Sequence, residues 1–262
     1  MVALPDPRRL VHFRRSVADF ARQTHPSREL VVVLDRGDPA TRDAMVAHVA
    51  SLRRDDVRVV EPREKLTLGA LRNVSVAEAR GAVVCLWDDD DMHHPERVRT
   101  QLAELLRAGA QALILEEALQ YFPGARTLHW TNWGSVWSKG LPGTLMFRRF
   151  APVRYPEEGP DARRGEDMIG IAQLQASGAF AAMAGAPHLY VYVSHGANTW
   201  GDEHHASLAR DRSIPLARMR RNEALLRRRL RAFDFGPGDV AVLARDAVAF
   251  TIADVDASSA CA

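Results

Sequence analysis

Four aspartates in a row, Asp88 to Asp91, follow the apolar run AVVCLW, Ala82 to Trp87. Neighbouring carboxylates raise each other's pKa unless positive charge sits among them. A divalent cation is the simplest compensation, and hard carboxylate oxygens favour Mn2+ or Mg2+ over zinc. Such an ion would bridge two phosphate oxygens and act as a Lewis acid towards a departing diphosphate. An acidic turn that merely caps a helix at Pro95 is the alternative, but one cap needs one aspartate rather than four. A second acidic pair, Glu166-Asp167, opens a helical segment after Arg163, Arg164 and Gly165. Carboxylates at that position also serve as simple partners of the helix dipole.

Three tryptophans, Trp130, Trp133 and Trp137, recur at spacings of three and four. A buried helix face would show that spacing. However, Thr131, Asn132, Gly134, Ser135 and Gly140 disfavour a stable helix there. Aromatic rings on such a segment suit the stacking of sugar rings, so an acceptor platform is placed at Trp130, Trp133 and Trp137. His195 ends a strand-like run, and a lone histidine in that setting is usually structural. His204 and His205 lack ligand spacing and read as part of a solvated loop beside Asp202 and Glu203.

The elements that must position these groups alternate along the first half. Leu10, Phe13, Val17 and Phe20 mark one face of a helix. LVVVL, Leu30 to Leu34, reads as a strand buried on both faces. Asp38 then caps a helix with Pro39 at its first position. Val57 to Val60 and Ala82 to Trp87 are further strands, separated by a helix from Leu68 to Arg80. Pro95 opens the next helix, and Ala112 to Leu115 follows as a strand. Strands alternating with helices predict parallel β-α-β units, whose ligands gather at the carboxyl ends of the strands. The second half is less regular. Strands are expected at Leu145 to Arg148 and Leu189 to Val193, with a helix at Asp167 to Ser177 between them. One long arginine-rich helix is expected from Ala206 to Ala232, with its apolar residues Leu216, Leu225, Leu226 and Leu230 available for a dimer contact. Two weak strand-like runs come after it.

The chain has 262 residues, 47% of them hydrophobic, which suits one substantial domain with an appendage. Its net charge of +2 makes no whole-molecule case for nucleic-acid binding. Cys85 and Cys261 lie far apart, with no disulfide framework, so a reducing cytoplasm is the expectation. No signal peptide is read at the basic N-terminus, and no run approaches the ~20 apolar residues of a membrane span.

In order, these motifs resemble the family 2 glycosyltransferases, enzymes of A-type fold. SVADFARQTHPSRELVVVL, Ser16 to Leu34, is similar to the family's first helix and second strand. LGALRNVSVAEARGAVVCLWDDDDMHHPERV resembles its signature, with Arg-Asn, Gly, a strand, Asp-x-Asp, His-Pro and Arg. PGTLMFRR resembles the acceptor-side strand and GEDM the Glu-Asp motif. The likeness runs over roughly residues 8 to 200. It implies a Rossmann-like three-layer α/β/α domain over residues 1–205, with a mainly parallel central sheet. Residues 1–115 would form the nucleotide-sugar half, residues 116–205 the acceptor half, and residues 206–262 a C-terminal helix and tail. Asp35 resembles the nucleobase aspartate and Arg72 the arginine near nucleobase and diphosphate. Asp88 and Asp90 resemble the Asp-x-Asp pair, with Asp90 as metal ligand and Asp89 near the ribose; the run of four leaves the register open by one residue. Glu166 and Asp167 fall at the catalytic pair, Asp167 as general base of an inverting displacement. His195 matches a region that completes the metal site in some members.

The resemblance therefore implies a hexosyltransferase-like enzyme using a nucleotide-diphosphate sugar, UDP favoured, with Mn2+ or Mg2+. Its acceptor would be a carbohydrate, a lipid-linked glycan or a natural product. The C-terminal arginines could meet an anionic membrane from the cytoplasmic side. The sequence departs from the family in its first strand, which is cut to Val2 to Leu4. A degenerate binder of nucleotide or glycan, and a haloacid-dehalogenase-like phosphatase, stand as the alternatives.

Overall fold

The computed structural model describes residues 1–198 and 201–254, so Cys261 lies outside the described residues. Element order in the first half follows the alternation expected from sequence. It runs β1 (Val2–Ala3), α1 (Leu10–Ala21), β2 (Leu30–Leu34), α2 (Pro39–Ser51), β3 (Val57–Val60), α3 (Leu68–Glu78), β4 (Val83–Cys85), β5 (Met92–His93), α4 (Arg97–Arg107) and β6 (Ala112–Leu115). Local chemistry sets several of these boundaries. The Thr41 N–H donates to Asp38 Oδ2 at 2.7 Å, so Asp38 caps α2, and Pro39 costs nothing at a position without a helical acceptor. Thr67 caps α3 in the same way through the Ala70 N–H.

β1, β2 and β3 form a parallel sheet in that order. All five residues of β2 are buried, as its unbroken apolar run requires. Against this sheet α1 buries Phe13, Val17 and Phe20, which share a core with Met45 and Val49 of α2. Among the described residues β1 pairs with β2 alone. A cavity of about 420 Å³, lined by Phe20, Leu30, Val84, Trp87 and Leu102, lies between β1 and β4. The Met1 ammonium donates to the Val31 carbonyl at 2.9 Å beside it, and burial lowers that amine's pKa to about 6.

The second half contains β7 (Glu117–Phe122), β8 (Thr127–Asn132), β9 (Met146–Arg148), α5 (Glu166–Ala176), β10 (Phe180–Met183), β11 (Tyr190–Val193), α6 (Asp202–Asp211), α7 (Leu216–Arg221), α8 (Glu223–Leu230), β12 (Val240–Ala244) and β13 (Ala247–Ile252). One sheet has the order β10-β6-β9-β4, with β9 antiparallel to both neighbours. The other has the order β13-β12-β8-β7-β11-β5. The aromatic stretch read as irregular is thus partly an antiparallel hairpin, β7–β8, in which Leu119 faces Trp130.

The single helix expected from Ala206 to Ala232 is three helices. Pro215, which cannot donate to a preceding turn, separates α6 from α7; before it the Arg212 carbonyl accepts from the Asn132 N–H and the Ile214 N–H donates to the Trp130 carbonyl of β8. A further break at Asn222 separates α8. Met219, Leu226 and Leu230 enter the core under β7, β8 and β11, while Arg220, Arg221, Arg228 and Arg231 face solvent. Of the four leucines offered for a dimer contact, Leu226 and Leu230 are spent in this core and Leu225 is exposed. The C-terminal hairpin β12–β13 extends the same sheet through β8. Among the described residues no helix is long and apolar enough to cross a membrane.

Candidate active site

The acidic run leaves β4 and passes over the N-terminal half of α1, which grips its backbone. Ser16 Oγ donates to the Asp88 carbonyl at 2.8 Å, and Arg15 Nη2 donates to the Asp90 carbonyl at 2.8 Å. The four carboxylates then enter four different surroundings. Asp88 opens into a cleft, its side chain 27% exposed, with Arg72 Nη1 at 3.8 Å and the Tyr190 hydroxyl donating at 3.3 Å. Asp89 turns away from the cleft to pair with Arg9. Asp90 Oδ2 is shared between Arg9 Nη2 at 2.9 Å and His195 Nε2 at 3.0 Å. Asp91 is fully buried, accepting from the Val193 N–H at 2.8 Å and from the Tyr190 hydroxyl.

These surroundings divide the pKa values. Burial raises Asp88, partly offset by the Arg72 charge. Burial also raises Asp89, to about 6, against the pull of Arg9. Asp91 stands well above the carboxylate range because burial is reinforced by Asp90 and Asp88. Asp90 alone goes down. Burial works against its charge, but the His195 hydrogen bond and Arg9 outweigh it. Of the four, Asp90 is the one whose surroundings favour the charged form over that of a free aspartate.

Facing the run is the start of α5. Arg72 Nε donates to Glu166 Oε1 at 2.8 Å, and Glu166 is almost completely buried. Asp167, one residue on, accepts from the Met168 N–H at 2.7 Å, and burial raises its pKa despite Arg72. Asp88, Asp90, Glu166 and Asp167 line one cleft of about 400 Å³, together with Trp133 and Tyr192. Such dimensions suit a small-molecule site.

The remaining sequence candidates divide. Asp35 sits at the carboxyl end of β2, paired with Lys65 and accepting from the Arg36 N–H at 2.7 Å; it does not line this cleft. His195 lies behind Asp90, stacked on His12 with ring centroids 4.4 Å apart. The three tryptophans are not brought together. Trp130 is 4% exposed and packs in the core of the second half, under the Arg218 guanidinium. Trp133 lines the cleft, with Arg212 over its ring. Trp137 is 51% exposed at the surface. A strand alternates its side chains and a turn follows Asn132, so helical spacing does not carry over into one face. His204 and His205, read as loop residues, lie on α6 and line the cleft, and Tyr192 Oη is 3.1 Å from His205 Nε2. Asp202 and Glu203 occupy the first turn of that helix, where the dipole favours them.

Sequence reasoning missed Arg9 and Tyr190, and noted Arg97 only as the arginine after His-Pro, with no role. Arg97 is completely buried, with Nε on Gln101 Oε1 at 2.9 Å and Nη2 on the carbonyls of Leu86 at 2.9 Å and Gly143 at 3.1 Å. It braces the floor below the acidic run. A signal for Arg9 was present, since four carboxylates demand nearby cations and Arg8 and Arg9 lie just before α1, with Arg14 and Arg15 in its first half.

Residues 12–148, more than half of the chain, fit the description Glycosyl transferase family 2. The chain belongs to that family. That membership removes the phosphatase alternative. The succinoglycan biosynthesis protein ExoO of Rhizobium meliloti (strain 1021) is 30% identical over 100 residues, 38% of this chain and 28% of that protein. The match thus spans little more than a quarter of that relative's length. Among solved structures, S. aureus TarS 1–349 superposes with a TM-score of 0.56 at 17% identity, over 89% of this glycosyltransferase and 72% of that chain. A mannosyltransferase, PcManGT from Pyrobaculum calidifontis in complex with GDP-Man and Mn2+, gives 0.56 at 15% identity, over 80% and 60%. At these identities the likeness is one of fold, and it agrees with the A-type architecture expected from sequence.

Proposed function

We propose that this glycosyltransferase takes a sugar from a nucleoside-diphosphate donor, UDP favoured, and passes it to an acceptor hydroxyl with inversion. The observation that carries this reading is the cleft itself, where Asp88 and Asp90 on one wall face Asp167 on the other. Structures of the same fold support the donor class: TarS 1–349 has been solved with UDP and with UDP-GlcNAc, and PcManGT with GDP-Man.

A divalent cation fits the donor set as an open site. Among the described residues no group of three His, Cys, Asp or Glu side chains is placed to hold a metal ion. Mg2+ and Mn2+ sites at phosphates need only one or two carboxylates, the rest of the shell coming from phosphate and water. Asp88 and Asp90 both reach the cleft. We assign Asp90 and Asp88 as its ligands; His195, offered by the sequence as the third, lies behind Asp90 and outside the cleft lining. When bound, the ion supplies Lewis-acid stabilisation of the leaving diphosphate.

The chain's own residues do the rest. Arg72 places its positive charge between Asp88 and Glu166, at the point where negative charge accumulates on the departing group. Asp167 accepts the proton of the acceptor hydroxyl as that oxygen attacks, and its raised pKa makes it a stronger base than an exposed aspartate. Glu166 fixes Arg72 and the start of α5. Asp35 is assigned to the nucleobase and Asp89 to the ribose side, each after release from its present cation. Of the tryptophans, Trp133 takes the acceptor ring.

Calorimetry with UDP, GDP and dTDP, each with and without Mn2+, tests the reading. Cation-dependent uptake of UDP is expected. Folded protein that binds none of the nucleotides under either condition would overturn it.

A further inference from the structure

Arg9 lies just before α1 and reaches into the acidic run from behind. Its Nη2 contacts Asp89 Oδ1 and, at 2.9 Å, Asp90 Oδ2, while Nη1 donates to the Ala197 carbonyl at 3.2 Å. Two polar atoms of this knot are buried without a partner among the described residues, Arg9 Nε and Asp89 Oδ2. An orphaned carboxylate oxygen in a buried site is costly, so Arg9 compensates this pair of aspartates only in part. The Asp90 oxygen that takes Arg9 is also the one that meets His195. On the cleft side the run has a second cation, Arg72, which is committed to Asp88 and Glu166.

We propose that Arg9 is the resident counter-ion of Asp89 and Asp90, and that a divalent cation must displace it from Asp90 in order to bind. The inference rests on the reading of Asp90 as a cation ligand. Its physical basis is charge. Four enclosed carboxylates repel one another, and a tethered guanidinium lets the run take its shape before any ligand arrives. The same guanidinium opposes a second positive charge on the same oxygen. Arg9 is a positioning residue here, acting on the cation through Asp90.

The test measures Mn2+ binding in the absence of donor, by the loss of the free-ion electron paramagnetic resonance signal. Wild type is compared with Arg9→Gln and Arg9→Lys, each checked for native circular dichroism. Arg9→Gln should bind Mn2+ on the order of tenfold more tightly, because a charge next to the ion is gone. Arg9→Lys keeps the charge and should stay within roughly threefold of wild type. If Arg9→Gln does not fold, Arg9→Met retains the apolar stem and serves in its place. Equal affinity in all the folded proteins would overturn the proposal while leaving glycosyl transfer intact. So would weaker Mn2+ binding in the neutral variant, which would make Arg9 a mere scaffold. Failure of wild type to take up Mn2+ even with millimolar UDP would remove the cation reading itself, and this proposal with it.

Discussion

Arg72 and Glu166, 94 positions apart in sequence, meet at 2.8 Å and join α3 to the first turn of α5 across the floor of the cleft. The same guanidinium is 3.8 Å from Asp88. One side chain from α3 thus holds the acidic run and the start of α5 in a fixed relation. Two carboxylates from different elements converge on a cation that is only 13% exposed, so neither can be left alone cheaply.

Replacing Arg72 with Met therefore should cost stability as well as activity. Truncating one partner of a buried ion pair costs about 3 kcal/mol or more, because the other charge stays buried. Urea unfolding of Arg72→Met measures this directly. A loss below ~1 kcal/mol, the range of exposed pairs, would deny the side chain its bridging role.

Asp167→Asn separates binding from chemistry. Transfer should fall by roughly 10²-fold or more, the usual contribution of a placed general base, with nucleotide affinity changed less than about twofold. In wild type the acid limb of the rate profile should lie above the ~3.9 of an ordinary aspartate, since burial raises this carboxyl and only its anion accepts a proton. Near-normal turnover by the asparagine variant would hand the role to another group.

Gly143 offers a purely steric probe. A Cβ at this position would lie 2.4 Å from Tyr190 Oη and 2.8 Å from Asp88 Oδ2, so both must shift. Overpacking of this kind costs about 1–3 kcal/mol. Gly143→Ala should lose donor affinity out of proportion to stability, because the groups displaced include Asp88. Thermal melting alongside nucleotide calorimetry distinguishes the two effects, and unchanged affinity would argue that Asp88 is idle.

Acid should loosen the seam between the acidic-run half and the C-terminal helices. His94 and His188 stack edge to face, with Phe233 against His94. Burial lowers their pKa values to about 4 and about 3. Between those values and the unfolded ~6.5, the unfolded chain binds protons that the folded chain refuses. Stability contributed by the neutral pair is present above pH ~6.5 and lost as pH falls from there towards 4. Melting temperature should drop by several degrees over that window, at roughly 2–4 °C per kcal/mol for a chain of this size. His94→Gln with His188→Gln should flatten the drop, and an equally steep curve in that variant would point to other groups.

How much of this was legible beforehand follows from the range of the interactions concerned. β2 announced itself through LVVVL, α2 through Asp38-Pro39, and the acidic wall of the cleft through four aspartates after an apolar run, because each signal is complete within about ten residues; the strand β4 in that run was expected to be buried and is only half-buried. The parallel alternation of the first half and the family likeness came from the same local patterns in series. The β7–β8 hairpin was missed because Trp130, Thr131 and Asn132 sit among residues of low regularity, and their strand partners lie on the other arm of the turn. The arginine-rich stretch looked like one helix because periodicity persists across Pro215 and Asn222; Pro215 was a legible stop that went unused, and the break at Asn222 shows only in the fold.

By itself, then, the amino-acid order determined the A-type fold class, the place of the acidic run at a strand end, and Glu166-Asp167 at a helix start. Only tertiary structure decided that Asp88 faces the cleft while Asp91 is buried under Tyr190 and Val193, and that Arg9 rather than a distant charge neutralises Asp89 and Asp90. It also dispersed Trp130, Trp133 and Trp137 to core, cleft and surface. The reason is physical. Four identical side chains in succession carry no sequence signal of their own surroundings, and the charges that tell them apart arrive from elements that are remote along the chain and adjacent only once it has folded.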